Sequence, residues 1–205
     1  MESLHGELRE YVARAVGNAL CADVRPERVS FRTRAGNCTL NILGYGVETV
    51  DVDARAFGEL RRVEAVESVA VAAGHVNVTL NAGFFSYLLE EALRDLPCAQ
   101  PARDNSELAG LARTRMLMLA RQRRSGLTDS PPVRRAMWLA FAACDPALDC
   151  KRRRLALEQA SAEALGMTRL IPRRTEAYSE LGDVGDCIAR MLSAAWMMNR
   201  VFEEE

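Results

Sequence analysis

The sequence predicts an α+β fold, in which a small mixed α+β domain with an antiparallel sheet precedes an all-α helical bundle. Alternating apolar and polar residues, the pattern of strands, occur only in the first hundred residues, whereas the second half has helical periodicity. A stretch rich in proline and small polar residues separates the two patterns. We therefore predict an α+β domain over residues 1–96, a linker over 97–106 and a helical bundle over 107–205.

An amphipathic helix and two strands are predicted at the start of the first domain. Residues 3–20 carry apolar side chains at helical spacing, which indicates a helix with one buried stripe. Residues 28–43 alternate on both sides of the turn signal RAGN, which indicates two strands, or a strand and a bend. The predicted stripe consists of Leu4, Leu8, Tyr11, Val12 and Ala15.

A short helix is predicted next, over residues 51–63. Asp51 or Asp53 would cap it. Its inward-facing side chains would be Ala56, Leu60 and Val63.

A hairpin and a helix complete the first domain. The stretch VESVAVAAGHVNVTL reads as two strands joined by a turn at 72–74, and a helix follows over 83–95. In the second strand one set of side chains is apolar and the other is polar, which is typical of a sheet with one wet face. A polar strand face can also recognise a ligand. The apolar set is Val76, Val78 and Leu80, and the polar set is His75, Asn77 and Thr79.

Four helices are predicted in the second half. In residues 107–124, Arg113, Arg121 and Arg124 fall on one face, away from the predicted apolar face. The stretch VRRAMWLAFAAC is apolar enough to be the buried centre, and LDCKRRRLALEQASAEALG predicts a third helix with Gly166 as its C-cap. The predicted inward residues are Leu108, Leu111, Ala112, Met116 and Leu119 in the first helix, Leu157, Ala160, Ser161, Ala164 and Leu165 in the third, and Ile188, Met191, Leu192, Ala195, Met198 and Phe202 in a last helix over 184–203.

The overall composition is that of a globular protein, with 49% hydrophobic and 27% charged residues. No apolar run reaches the roughly 18 residues that a membrane span needs. The N-terminus carries acidic residues rather than the apolar core of a signal peptide. We therefore expect a cytoplasmic protein with no membrane partner.

Positive charge is concentrated in the second half. Residues 103–174 carry 15 basic and 7 acidic side chains, a net charge of +8, although the whole chain has a net charge of −1. This concentration favours an anionic partner such as nucleic acid. An arginine-rich helical surface that is merely solvated would give the same count.

The motifs of common catalytic and cofactor sites are absent from the sequence. There is no GxGxxG, no GxxxxGK[ST] and no GxSxG. The six cysteines include no CxxC pair, and His5 and His75 are the only histidines, so we expect no metal site and reduced thiols. We predict no catalytic residue and no cofactor.

Two parts of the chain resemble the appended domains of arginyl-tRNA synthetase. The end of the first domain is similar to that family's N-terminal motif G-[FH]-[IV]-N-[FV]-x-[LF]-[NS] and to the helix after it. In the second half, LARTRMLMLAR and RLALEQASAEAL resemble an early and a late helix of the family's anticodon-binding bundle, the DALR domain. The first match comprises Gly74, His75, Val76, Asn77, Val78, Leu80 and Asn81, followed by Phe84 and Leu88.

The resemblance implies one function of the family, but the chain lacks the parts that another function needs. The family's catalytic domain should lie between the two halves, where this chain has only residues 97–106. The HIGH-type motif is missing, and a KMSKS loop cannot be formed because Lys151 is the only lysine. The resemblance therefore implies a protein that does not aminoacylate but binds tRNA, with arginine tRNA as the expected ligand and a partner enzyme as a second expectation.

The resemblance also nominates the residues that would contact RNA. Asn77 falls on the position of the family's motif that meets the D-loop of tRNA, although it can equally be a polar residue on a wet sheet face. The basic candidates near the anticodon arm can equally make surface ion pairs. Consecutive residues of a helix point in different directions. One or two of the four consecutive cations in the third helix must therefore face away from a shared ligand. These basic candidates are Arg113, Arg121 and Arg124 in the first bundle helix and Lys151, Arg152 and Arg153 in the third.

Two other hypotheses compete with tRNA binding. The chain could be a protein-interaction module of synthetase origin that has lost RNA binding, with Trp196, Met197 and Met198 around an interface. It could also be an enzyme whose site is unrecognised, a hypothesis based on His75 and the six thiols that would gain support if a closed pocket held His75 against a cysteine or a carboxylate.

Overall fold

The computed structural model describes residues 2–32, 37–41, 52–72, 74–96, 107–120, 130–170 and 182–203. The chain divides into two compact units, Glu2–Tyr87 and Leu88–Glu205, and the division falls within a helix. The predicted linker 97–106 and the positions Arg121 and Arg124 lie outside the described residues. The predicted boundary at residue 96 stays a prediction.

The first unit has the predicted mixture of helix and antiparallel strand. Its main sheet has four strands in the order β1-β2-β6-β5, and each neighbouring pair is antiparallel. A separate two-stranded ladder joins β3 to β4. The elements are α1 (Glu2–Leu20), β1 (Val29–Phe31), β2 (Asn37–Asn41), β3 (Glu59–Leu60), β4 (Val63–Glu64), β5 (Val66–Ala72), β6 (His75–Leu80) and α2 (Ala82–Asp95), with 3₁₀ turns at Pro26–Arg28 and Ala54–Phe57.

Helix α1 buries the predicted stripe and packs near β1. The ring of Phe31 lies 5.5 Å from that of His5, and the Arg9 guanidinium lies 4.4 Å from the centre of the Phe31 ring. The Tyr11 hydroxyl donates to the carbonyl oxygen of Gly58 at 2.8 Å. All five predicted stripe residues are at most 5% exposed, which confirms the helical prediction.

The C-terminus of α1 is closed by a pair of backbone hydrogen bonds. The amide of Ala22 donates to the carbonyl oxygen of Gly17 at 3.0 Å, and that of Cys21 donates to Asn18 at 3.4 Å. This pairing is a Schellman cap, whose first residue beyond the helix takes a left-handed conformation. Here that residue is Cys21, with φ of 51°.

The predicted helix over 51–63 is wrong beyond its first turn. Asp53 caps a 3₁₀ turn as predicted, because its carboxylate accepts from the amide of Arg55 at 2.9 Å. The turn ends at Gly58, whose φ of 59° suits glycine and stops the helix. The chain then forms the β3–β4 hairpin, with Arg61 and Arg62 at its tip in left-handed conformations.

The second unit contains four long helices in its described part, as predicted. Helix α3 packs on α5 and α6, and α4 packs on the same two helices. The centre of α4 is buried from Ala136 to Ala143, which confirms its predicted place in the core. The helices are α3 (Glu107–Ala120), α4 (Pro131–Ala143), α5 (Cys150–Leu170) and α6 (Gly182–Glu203).

The inward residues were predicted well for α5 and poorly for α3. All five predicted residues of α5 are buried, but Gly166 lies inside the helix and does not end it. In α3, Ala112 and Met116 are buried as predicted, whereas Leu108 and Leu111 are 40% and 47% exposed. The buried face of α3 is therefore rotated from the predicted one and consists of Ala109, Ala112, Arg113 and Met116.

An arginine of α6 holds the end of α2. Arg190 donates through Nη1 to the carbonyl oxygens of Leu93 at 3.4 Å and Leu96 at 2.5 Å. Its Nε donates to the Asp186 carboxylate at 2.8 Å. A cation at a helix C-terminus satisfies carbonyl groups that lack partners within the helix.

Candidate functional site

The polar face predicted for β6 is present. Val76, Val78 and Leu80 are at most 1% exposed, whereas the side chains between them are only partly buried. Strand β6 lies between β2 and β5, so ladders on both sides hold its backbone. The polar residues His75, Asn77 and Thr79 therefore stand in a row on a rigid central strand.

Small side chains flank this row. In the register of β5 with β6, Ala70 pairs with Asn77, Ser68 with Thr79, and Ala72 with His75, and all three residues of β5 are exposed. On the other side of the row, the backbone of Thr39 in β2 pairs with that of Asn77. We call the surface formed by His75, Asn77, Thr79, Ser68, Ala70 and Ala72 the open sheet face.

Other residues of the β6 motif have structural roles. The Oδ1 atom of Asn81 accepts from the amide of Phe84 at 3.1 Å and so caps α2, and the amide of Asn81 donates to Ala65 at 2.9 Å. A side chain at Gly83 would come within 3.2 Å of the Glu64 carbonyl oxygen and of Val63. These contacts join β6 to α2 and to the β3–β4 hairpin.

Among the described residues, no acid or thiol is hydrogen-bonded to the buried Nδ1 atom of His75. The Nδ1 atom has no hydrogen-bond partner among the residues that the structure describes. The hypothesis of an unrecognised enzyme needs an activating partner for this side chain. The observed environment of Nδ1 gives that hypothesis no support.

Among the four consecutive cations that open α5, Arg153 points inward. Its side chain is 1% exposed, and Nη2 donates to the carbonyl oxygens of Asp145, Pro146 and Leu148 at 3.3, 3.4 and 3.0 Å. Its Nη1 donates to Met198 on α6 at 3.2 Å. The guanidinium thus fastens the α4–α5 loop to α6. The sequence does not reveal this role, because the neighbouring cations are chemically alike.

The three other cations of this run are exposed. Lys151, Arg152 and Arg154 lie on the surface of the first turns of α5. Arg152 lies 3.4 Å from the Asp149 carboxylate, and Arg154 lies 3.5 Å from that of Glu158. These pairs are solvated and weak, so the cations are accessible to another anion.

Arg113 is also buried, with 6% of its surface exposed. Burial lowers the pKa of its guanidinium, because the charged form loses hydration. The structure therefore does not expose all the predicted RNA-binding residues that it describes. It exposes Lys151 and Arg152, places Asn77 on the open sheet face and buries Arg113 and Arg153.

The exposed side of α3 is apolar. Leu108, Leu111 and Met118 are 40%, 47% and 62% exposed and fall on one side of the helix, opposite its buried face. Large exposed apolar residues in a row are typical of a protein contact. Sequence periodicity assigned Leu108 and Leu111 to the core instead.

The described thiols are free and differ in accessibility. Cys144 and Cys187 are fully buried, whereas Cys21 is exposed. Burial raises the pKa of Cys144 to about 12 and also raises that of Cys187. No group of three or more potential metal ligands occurs in the described part of the chain.

Comparison with known proteins gives no relative for this chain. No family model, curated protein or solved structure matches it. Within the described residues, no helix has both the length and the apolar character needed to cross a membrane.

Proposed function

We propose that this chain is a non-catalytic RNA-binding protein whose ligand is tRNA. The observation that carries the proposal is the open sheet face, in which Asn77 stands on a central strand beside the small residue Ala70. An amide held on a central strand, with a small side chain beside it, suits the edge of an unstacked base, which presents hydrogen-bond donors and acceptors. The bases in tRNA loops offer such edges.

Exposed cations in the second unit supply the charge that RNA binding needs. Lys151 and Arg152 are accessible at the start of α5, and residues 103–174 have a net charge of +8. Phosphate contacts from such side chains provide affinity without sequence preference. We leave Arg113 and Arg153 out of the proposed interface because they are buried, and we keep Arg121 and Arg124 as expectations from the sequence.

The resemblance to arginyl-tRNA synthetase supports tRNA over other RNAs. The three family-like motifs fall on elements of the expected type. The N-terminal motif forms β6 and the start of α2, the described part of the early bundle motif lies in α3, and the late bundle motif lies in α5. We propose on this basis a DALR-like second unit, arginine tRNA as the ligand, and delivery of that tRNA to a partner enzyme in the cytoplasm.

The test is fluorescence anisotropy with labelled arginine tRNA and an unrelated tRNA, at about 50 and 200 mM salt. We expect micromolar or tighter binding that prefers one tRNA. If about five phosphates are engaged, the slope of log K against log salt should be near −3.5 to −4.5. Replacing Asn77 with alanine should weaken binding by about 1–3 kcal/mol, or roughly 5- to 150-fold, if the amide pairs with a base.

A matched control is Asn18→Ala, which removes an exposed amide from α1. It should leave the affinity unchanged. Equal losses of tRNA affinity in Asn77→Ala and Asn18→Ala would show that the open sheet face does not bind the RNA. Salt-insensitive binding, or no binding at low salt, would contradict the proposal as a whole.

A second candidate function is a protein-interaction module, and the exposed apolar row on α3 favours it. The exposed apolar side chains on α3 suit a contact with a protein surface better than a contact with RNA. They are Leu108, Leu111 and Met118. Met197, which is 44% exposed on α6, adds a further apolar contact. This function predicts a protein partner that is lost in Leu111→Ser, and it predicts no tRNA binding at low salt.

A further inference from the structure

The two edges of the four-stranded sheet are protected to different degrees. At one edge, β1 has three residues and is flanked by Arg28 and Arg32. Short length and flanking charge are common ways to prevent an edge from pairing with another chain. This edge is therefore poorly suited to further strand addition.

The other edge is longer and has a single charged residue near its start. Strand β5 has seven residues, and its one charged residue, Glu67, lies at the bulge between Val66 and Ser68. The remaining stretch, Ser68–Ala72, contains no charge and no proline, and no described strand pairs with its outer side. Alternate backbone N–H and C=O groups of an edge strand point away from the sheet and accept a new strand.

Two apolar side chains of β5 are also partly exposed. Val69 and Val71 are partly exposed, although their partners Val78 and Val76 on β6 are fully buried. An apolar, β-branched strand that is exposed at an edge is a template for pairing. An additional strand would cover both valines.

We propose that β5 pairs antiparallel with β5 of a second copy of this chain, about a two-fold axis at Ala70. This register places Val69 opposite Val71 of the second copy and Ser68 opposite Ala72 of the second copy. Pairs of β-branched residues across antiparallel strands are stabilising. No like charges meet within Ser68–Ala72, because Glu67 lies outside the paired stretch.

The proposed contact closes at two copies. Counting only the described strands, two four-stranded sheets joined at β5 form one eight-stranded sheet, whose remaining edges are the two short β1 strands. With the axis at Ala70, residues that pair across the contact point to the same face of the joined sheet. The open sheet faces of the two copies therefore lie on the same side. Five residues a side bury less than the roughly 800 Å² per partner of a standard interface, so we expect a concentration-dependent dimer.

The test is sedimentation velocity from about 1 to 300 µM protein. The wild type should shift from the monomer towards twice its mass. Ala70→Lys and Ala70→Glu each place two like charges opposite one another at the axis, and each should raise the dissociation constant by roughly fivefold or more. An equimolar mixture of the two variants should restore dimers, because opposite charges then meet. Ala19→Lys, an exposed change on α1, is the control and should behave as the wild type.

Hydrogen exchange of the wild type provides a readout that needs no variant. Amides within Ser68–Ala72 that point outward should exchange more slowly at high protein concentration than at low concentration. A wild type that stays monomeric, with exchange independent of concentration, would overturn the proposal. Dimers that persist in Ala70→Lys, or a mixture that fails to restore them, would also overturn it. The proposal does not depend on RNA binding.

Discussion

Replacing Arg153 with alanine should destabilise the helical unit far more than the same change at its neighbour Arg152. The Arg153 guanidinium is buried and donates to four carbonyl oxygens, three of them through one nitrogen. We count the shared nitrogen as one effective hydrogen bond and the bond to Met198 as a second. At about 1.5–3 kcal/mol for each bond from a charged group, the loss is about 3–6 kcal/mol. That is a large part of the stability of an ordinary domain.

Arg152 is a matched control because it has the same chemistry one residue away. Its side chain is 75% exposed, and its ion pair with Asp149 is long, so Arg152→Ala should cost less than about 1 kcal/mol. Arg153→Lys should recover only part of the loss, because an ammonium lacks the planar fork that reaches several carbonyls.

Urea unfolding followed by tryptophan fluorescence measures these differences. Both tryptophans lie in the helical unit, and Trp138 is completely buried, so the signal reports on that unit. We expect the midpoint to fall strongly for Arg153→Ala with little change in slope. Equal midpoints for Arg153→Ala and Arg152→Ala would refute the reasoning, since the buried hydrogen bonds would then contribute nothing.

Two further predictions concern groups whose titration is shifted by burial. Cys144 and Cys187 should react with a thiol reagent only after unfolding, whereas Cys21 should react at once in the native chain; mass spectrometry of the labelled peptides identifies each site, and rapid native labelling of Cys144 would contradict the observed burial. Burial also raises the pKa of Tyr11 to about 12, with Arg14 opposing the shift. Because the unfolded tyrosine loses its proton near pH 10, the stability from this group is complete below pH 10 and is lost as the pH rises towards 12. The loss should be absent in Tyr11→Phe, and ultraviolet absorbance of tyrosinate follows the titration.

Prediction from the sequence succeeded for those elements whose apolar spacing is compatible with only one type of secondary structure. The alternation of Val76, Val78 and Leu80 fits only a strand with one buried face, and the structure has that strand. Residues 51–63 satisfy a helical spacing equally well, but Gly58 and the left-handed pair Arg61 and Arg62 select a hairpin. Local backbone conformation thus decided between two patterns that apolar spacing could not separate.

The candidate site was only partly predictable, because burial of charged and apolar residues depends on which neighbours a helix meets. Helix α3 is apolar on both sides, so periodicity gave the helix but not the face that packs on α5 and α6. Arg113 was therefore assigned to the surface and Leu111 to the core, and both assignments are wrong. Helical geometry predicted that one or two of the four consecutive cations at α5 point away from a shared ligand, but it did not predict that Arg153 is buried.

The cap of α1 has a consequence for any cysteine-free version of this chain. Cys21 occupies the left-handed position of the cap, where residues other than glycine are strained by about 1 kcal/mol. Serine, the usual replacement for cysteine, would keep that strain. Glycine at position 21 should remove the most accessible of the described thiols and also stabilise the end of the helix.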